Sequence, residues 1–460
     1  MKKFFGDKAF YKKLFRVMIP ILIQNVITHF VSLIDNIMVG KLGTEPMSGV
    51  AIVNQLMFVF MLCIFGAISG AGIFTTQFFG HGDEEGVRST VRAKFIITLG
   101  AVAIFAAVFL TRGEKLIELF LHQGEEDLDL AATLQYGRSY MFVMLLQLVP
   151  FALSQVYSGT LRETGETVVP MVAGVAAIFV NMGLNWVLIF GKLGAPALGV
   201  VGAAIATVTS RFVELFIVAI WAHTHKARCR FAEGLFKSFK IPKSLWKNIA
   251  LKGLPLLVNE LLWSSGMTTL NQCYSRRGLE VVSAVNISST VSNLFFCSFF
   301  AMGSTVSIIV GQLLGAGEAE RAVDEDRKLI TFSVLLCTAT GAVMAAVAPL
   351  VPQIYNTTDT VKAIARDLLL VSSCMMPMDA FTNASYFTLR SGGKTFITFL
   401  FDSGFVWAIC VPTAFILSRY TAIPILYMFM IVRLLDLIKC AIGFILIKKR
   451  AWVHNLTADV

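Results

Sequence analysis

Four carboxylates lie inside long apolar stretches of this sequence: Asp35, Glu260, Asp379 and Asp402. An ionised side chain at mid-membrane depth costs roughly 2.5–3.5 kcal/mol on insertion scales, so such residues face a water-filled cavity or a partner. In a poorly hydrated cavity a carboxylate can carry a proton near neutral pH. The same anionic oxygens can instead ligate a sodium ion. Both uses need the same residue type, so Asp35, Glu260 and Asp379 are the ion-coupling candidates for either H+ or Na+. The competing role is structural, a carboxylate satisfied by nearby hydroxyls and amides.

The neighbours of these groups share their faces. Asn25, Thr28, His29, Ser32, Asp35 and Asn36 fall at i, i+3, i+4, i+7, i+10 and i+11, one polar stripe on a helix otherwise built of Val and Ile. Asn259, Glu260, Ser264 and Asn271 form a second face, and Asp379, Thr382, Asn383 and Tyr386 a third. Asn181 and Asn185 stand one turn apart in FVNMGLNWVLIFG, and Asn54 and Gln55 add amides to the second apolar segment. The cavity-lining set is therefore Asn54, Gln55, Asn181, Asn185, Asn259, Asn383 and Asp402. Arg433, Asp436 and Lys439, at i, i+3 and i+6, read as a self-neutralised cluster.

The elements that position these residues must be membrane helices. Of 460 residues 56% are hydrophobic and 15% charged, and the mean hydropathy is +0.73. Soluble chains run near 45–50% apolar and about 25% charged, which leaves lipid to cover this surface. Runs at 95–111, 168–190, 199–221, 329–350 and 423–447 have the length that crosses about 30 Å of hydrocarbon, without the alternation of a membrane barrel. The basic N-terminus followed by an apolar run reads as a retained first helix, since more spans follow it rather than a soluble chain. Seven of the eight Cys lie in or beside apolar segments and none forms a CxxC pair, and the six His are scattered, which argues against a disulfide framework, a zinc site or any other cofactor. The net charge of +10 sits in alternate loops, as the positive-inside rule requires, and not in a nucleic-acid-binding patch, while the loop at 111–129 is balanced by acids. That alternation implies an even number of spans, about twelve, with both termini cytoplasmic in a cell inner membrane.

The halves repeat. At an offset of 235, Pro20, Gly43, Gln77, Gly80 and Gly82 meet Pro255, Gly278, Gln312, Gly315 and Gly317, so QFFGHGDEE (77–85) lies over QLLGAGEAE (312–320). At an offset of 228, LRETGET (161–167) meets LRSGGKT (389–395). Repeated strings at the same membrane side imply a parallel repeat, two six-helix bundles with a cavity between them that rock to alternate access. The expected boundaries are an N-terminal lobe at 1–222, a cytoplasmic linker at 223–247 and a C-terminal lobe at 248–460. Prolines inside spans, above all the repeat-matched Pro20 and Pro255, are hinge candidates.

These pieces together, DNIMVGKLGTEPMSGVA (35–51), LRETGETVVPMVAG with NMGLNWVLIFGKLGAPALGVVGAAIATVTSR (161–211), QLLGAGEAERA (312–322) and LRSGGKT (389–395), resemble the multidrug and toxic compound extrusion (MATE) family. The resemblance implies two six-helix lobes and export of small, amphipathic, often cationic compounds against Na+ or H+. It also matches Asp35, Glu260 and Asp379 to acidic coupling residues. Asn185 departs from members that carry Asp there, which argues against a two-Asp proton site in the N-terminal lobe and toward a Na+ site at Glu260 and Asp379. A monomer among membrane lipids is expected. The alternative is a flippase for a lipid-linked precursor, although Arg211, Arg433 and Lys439 are few for binding a pyrophosphate. No HExxH, Ser–His–Asp set or phosphate loop supports an enzyme.

Overall fold

The computed structural model describes residues 4–121, 129–355 and 357–459, and side chains outside 31–33 and 459; Ser32 of the first polar stripe and the acidic stretch 122–128 lie outside that description. The fold is all-α, with twelve main helices: α1 Lys8–Gly40, α2 Thr44–His81, α3 Glu84–Glu118, α4 Leu130–Glu163, α5 Val168–Phe190, α6 Gly199–Thr224, α7 Lys243–Ser275, α8 Leu279–Gly315, α9 Ala319–Val347, α10 Asp359–Ser391, α11 Thr395–Tyr420 and α12, in two pieces, Ile425–Leu434 and Asp436–Lys448. Local chemistry sets several ends. Asp129 caps α4 by accepting from the N–H groups of Ala131 and Ala132 at 3.0 Å. Gly191 ends α5 in the left-handed region, φ 66°, where a Cβ would be strained.

Among the described residues nine helices are long and apolar enough to cross a membrane: α1 to α6, α8, α9 and α11. The other three, α7, α10 and α12, carry Glu260, Asp379, and Arg433 with Lys439. The span expected at 423–447 is broken beside Asp436 rather than continuous. Helix α11 departs from regular α geometry: Leu400–Gly404 and Val406–Cys410 are π-helical. Such widened turns free backbone groups, and they recur at functional sites.

Two compact units are present. The first, here the Asp35 unit, holds Ile23–Thr75 and Glu84–Trp246; the second, the Glu260 unit, holds the chain up to Leu22, Thr76–Asp83 and everything from Lys247 onward. Helix α1 thus changes unit within three residues of Pro20, where the ring removes a backbone hydrogen bond. In the Asp35 unit Val53, Phe60, Ile64, Ile117, Leu148 and Ala152 form the core. In the Glu260 unit Leu14, Met302, Val310, Leu329, Leu389 and Trp452 do so.

Within the Glu260 unit the repeated strings pack on each other. A Cβ on Gly80 would strike the Gln312 carbonyl, and one on Gly315 would strike the Gln77 carbonyl. The contact is reciprocal because the two sites are related by the repeat: each glycine admits the backbone of the other string. Small residues permit this approach in membrane helix pairs. The Gln77 side chain is then fully used, donating to Ser391 O at 2.9 Å and accepting from Leu456 N–H at 2.7 Å, which ties the C-terminal tail to α2 and α10.

The stretch between α6 and α7 is pinned to the Asp35 unit. Arg92, buried on α3, donates from Nε to Leu235 O at 2.9 Å and from Nη2 to Gly234 O at 3.1 Å, and pairs with Glu85 at 2.8 Å. Phe236 stacks on His223 with ring centres 5.8 Å apart. Cys229, on the same stretch, has no exposed surface; burial, and then the charge of Glu166, pushes its thiol up to about 12. The thiolate is the reactive form, so Cys229 is expected to resist maleimide at pH 7.5. In Arg92→Ala, which loses two bonds to a charged donor worth about 1.5–3 kcal/mol each, its labelling is expected to rise at least about tenfold, read by mass spectrometry.

Candidate functional site

The polar groups of the Asp35 unit converge on one carboxylate. Helix α1 carries Asp35, half-buried late in its span; α5 presents Asn181 and Asn185 from one face; α6 presents Thr207 and Arg211. Asn185 Nδ2 donates to Asp35 Oδ1 at 2.8 Å. The oxygen and nitrogen of an amide are assigned from their neighbours. For Asn181 the nitrogen belongs on the carboxylate side, 3.0 Å from Asp35 Oδ2, with its oxygen accepting from Thr207 Oγ1 at 3.2 Å. Both asparagines are almost wholly buried, 6% and 2% exposed, so their amides are held in place. Asn185 Oδ1 is left buried with no donor among the described residues. Nearby, Arg211 pairs with the buried Glu214 at 2.8 Å, and Tyr140 Oη donates to Asn54 Oδ1 at 3.2 Å.

That arrangement has a definite chemistry. Two amide donors stabilise the anionic carboxylate, and a spare carbonyl oxygen beside it offers a further acceptor to an arriving cation or to a proton on Asp35. The rest of the first stripe is not gathered in: Thr28, His29 and Asn36 are exposed, Asn25 is half-buried, and Gln55 is exposed on α2.

The Glu260 unit gathers a different set. Asn259, 1% exposed on α7, donates from Nδ2 to Asp402 Oδ2 at 3.2 Å and to Tyr386 Oη at 3.4 Å. Its Oδ1 accepts from the Ser403 backbone N–H at 3.3 Å and lies 2.7 Å from Ser403 Oγ. The donor it takes is one that the π turn of α11 offers. Asp402 in turn accepts from Lys439 Nζ at 2.7 Å, and Asp379 accepts from Arg433 Nη2 at 2.5 Å. Arg433 also reaches Asp436 at 3.5 Å. Glu260 itself is half-buried and makes no hydrogen bond among the described residues, and Asn383 Oδ1 is buried without a donor among them.

Sequence spacing showed the Arg433, Asp436 and Lys439 run but not its partners. The short bonds go to Asp379 on α10 and Asp402 on α11, which no spacing on α12 reveals. Tyr140 and Thr207 were likewise absent from the expected set, being single hydroxyls in apolar helices. Among the described residues no group of three or more His, Cys, Asp or Glu is placed to hold a metal ion.

The Lys439–Asp402 bond has a stability consequence. Removing one partner of a buried pair costs about 3–5 kcal/mol because the other charge is stranded, whereas replacing both by neutral groups is often harmless. Asp402→Asn is therefore expected to lower the unfolding free energy by about that amount, and Asp402→Asn/Lys439→Met to recover most of it, measured by denaturant unfolding of the purified protein.

Relatives with known sequences cover most of the chain. It is 26% identical over 424 residues to the probable multidrug resistance protein NorM of Thermotoga maritima, spanning 90% of this chain and 87% of that one. It is 24% identical over 415 residues to the probable multidrug resistance protein YoeA of Bacillus subtilis, spanning 89% and 87%. The fold matches that of a multidrug resistance MATE family transporter of the MOP superfamily solved in an outward-facing conformation, with TM-score 0.85, 20% identity and coverage of 98% and 97%. It also matches a MOP superfamily transporter from Pyrococcus furiosus, with TM-score 0.86, 20% identity and the same coverage. The MatE family model matches residues 20–187 and 255–416, most of both halves, and the chain belongs to this family of multi-pass membrane transporters.

Proposed function

We propose that this transporter exports small amphipathic organic cations in exchange for an inward-moving cation, Na+ or H+, with Asp35 as the principal coupling carboxylate. The observation that carries the reading is the pairing of Asp35 with two buried amide donors while Asn185 Oδ1 stays unpartnered beside it. An ion or proton binding there cancels the charge that an organic cation would otherwise neutralise, so the two compete. A ligand shifts a two-state equilibrium only by its differential affinity, and such competition supplies it. In the Glu260 unit Asp379 and Asp402 are paired within the chain, to Arg433 and Lys439, which leaves Asp35 as the carboxylate open to exchange. The multidrug names borne by the relatives support the substrate class.

The remaining parts of the reading follow the repeat. Two lobes, 1–222 and 248–460, rock in alternation about a cytoplasmic linker at 223–247, with both termini cytoplasmic and one chain sufficient for transport. Binding tests this without reconstitution. Titrating the purified protein with a fluorescent organic cation is expected to give an affinity that falls at least about fivefold as the coupling ion is raised, the lower end of usual coupling free energies, and an ion-insensitive affinity in Asp35→Asn. An affinity independent of both Na+ and pH in the unaltered protein would contradict it. Heat protection by an undecaprenyl-type lipid would favour a lipid flippase instead.

A further inference from the structure

The Glu260 unit contains carboxylates of the kind that could hold a coupling Na+, yet each one with a short bond already holds a cation built into the chain. Asp402 Oδ1 takes Lys439 Nζ at 2.7 Å, and its Oδ2 takes the Asn259 amide at 3.2 Å. The ammonium is also 5.3 Å from the centre of the Phe401 ring. Asp379 takes Arg433 at 2.5 Å, and the same guanidinium reaches Asp436 at 3.5 Å. These side chains are only 12% to 22% exposed, so bulk salt screens them little. All of the cations sit on α12, in the helix pieces on either side of the break at Leu435.

We propose that Lys439 and Arg433 are tethered counter-cations that occupy Asp402 and Asp379 in place of a free Na+, leaving ion exchange to Asp35. The proposal rests on the exchange reading given above for Asp35. An ammonium and a sodium ion carry the same charge and make the same demand on carboxylate and carbonyl oxygens. A cation on a short side chain is present at a high effective concentration and excludes a dissolved competitor. Lys439 is in this sense a specificity-determining residue: it decides that the ion in this unit does not leave. Asp402 Oδ1 is the oxygen that its removal would uncover, while Oδ2 and the Tyr386 hydroxyl stay on the Asn259 amide.

The test measures binding, and every protein in it carries Asp35→Asn so that any response to Na+ comes from the Glu260 unit. Thermal unfolding is followed in sodium chloride and in choline chloride at equal ionic strength. With Lys439 intact no Na+-specific shift is expected. Lys439→Met is expected to gain a Na+-specific rise in Tm of at least about 3 °C at a saturating salt concentration, since a ligand that binds only the folded state stabilises it. Asp402→Asn/Lys439→Met, which keeps neither charge, is expected to unfold cooperatively and to lose the rise. If Lys439→Met does not purify folded, Lys439→Gln serves, because its amide retains a bond to Asp402 while leaving the negative charge uncompensated. A Na+-specific rise with Lys439 present would overturn the proposal, as would no rise in either Lys439 variant. Neither outcome bears on whether Asp35 couples transport, which the titration of the Asp35-containing protein decides separately.

Discussion

Asp35→Asn protein, correctly inserted and reconstituted, is expected to export an organic cation under an ion gradient about 100-fold more slowly than the unaltered protein, near the upper end of what a coupling free energy of about 1–3 kcal/mol supports. The substitution keeps shape and one carbonyl oxygen, so Asn185 Nδ2, 2.8 Å away, still has an acceptor. Asn181 turns its amide over, offering its oxygen to the new amide nitrogen and its nitrogen to Thr207 Oγ1 at 3.2 Å, so α1 and α5 stay joined. What disappears is the charge for which ion and substrate compete. The loss should therefore fall on coupled flux and not on folding, with thermal unfolding changed by less than about 1 kcal/mol-equivalent, the net worth of one ordinary hydrogen bond. Glu260→Gln is expected to slow export less, because Glu260 makes no hydrogen bond among the described residues. Flux measured at matched protein incorporation separates these cases, and Asp35→Asn protein transporting at the full rate would remove Asp35 from the coupling role.

Gly315→Leu is expected to abolish stable folding. A Cβ at this position meets the Gln77 backbone carbonyl, and at Gly80 the Gln312 carbonyl, with no flexible side chain to move aside. Overpacking typically costs about 1–3 kcal/mol when side chains can adjust, and a backbone collision between two long helices exceeds that range. The damage should spread, because Gln77 also holds Ser391 and the tail at Leu456. Gly183→Ala is the matched control: nothing lies within 4 Å of a Cβ there, and replacing Gly by Ala within a helix favours the fold by about 1 kcal/mol. Size-exclusion profiles of the two variants in detergent should differ accordingly, with Gly315→Leu aggregated and Gly183→Ala monodisperse.

The membrane helices were legible in the sequence because apolar length is a strong local signal. Helix α5 coincides with the run at 168–190, and α3 extends the run at 95–111 in both directions. The run at 423–447 is helical too, in two pieces that meet at Leu435. Repeat alignment identified Gln77, Gly80, Gln312 and Gly315 as a related set, but not that the two strings face each other, a fact of packing rather than of pattern. Asp35 with Asn181 and Asn185 was legible as chemistry, since buried acids and amides are rare in apolar helices. Which acid meets which amide was not, because 150 residues separate Asp35 from Asn185. The Lys439–Asp402 and Arg433–Asp379 bonds show the same limit, with α12 reaching back to α10 and α11. The π turns that open Ser403 to Asn259 leave no clear mark in FLFDSGFVW, a string that reads as an ordinary apolar helix around one acid.

Gradient-driven transport tests the exchange most directly. Proteoliposomes containing the protein are loaded with a fluorescent organic cation, and a Na+ or an H+ gradient is imposed separately, with the other ion equal on both sides. Movement of the dye driven by one gradient, and lost in Asp35→Asn, is the predicted result, and it names the coupling ion. Dye movement of equal rate in the unaltered and Asp35→Asn proteins, or none under either gradient, would contradict cation exchange at Asp35.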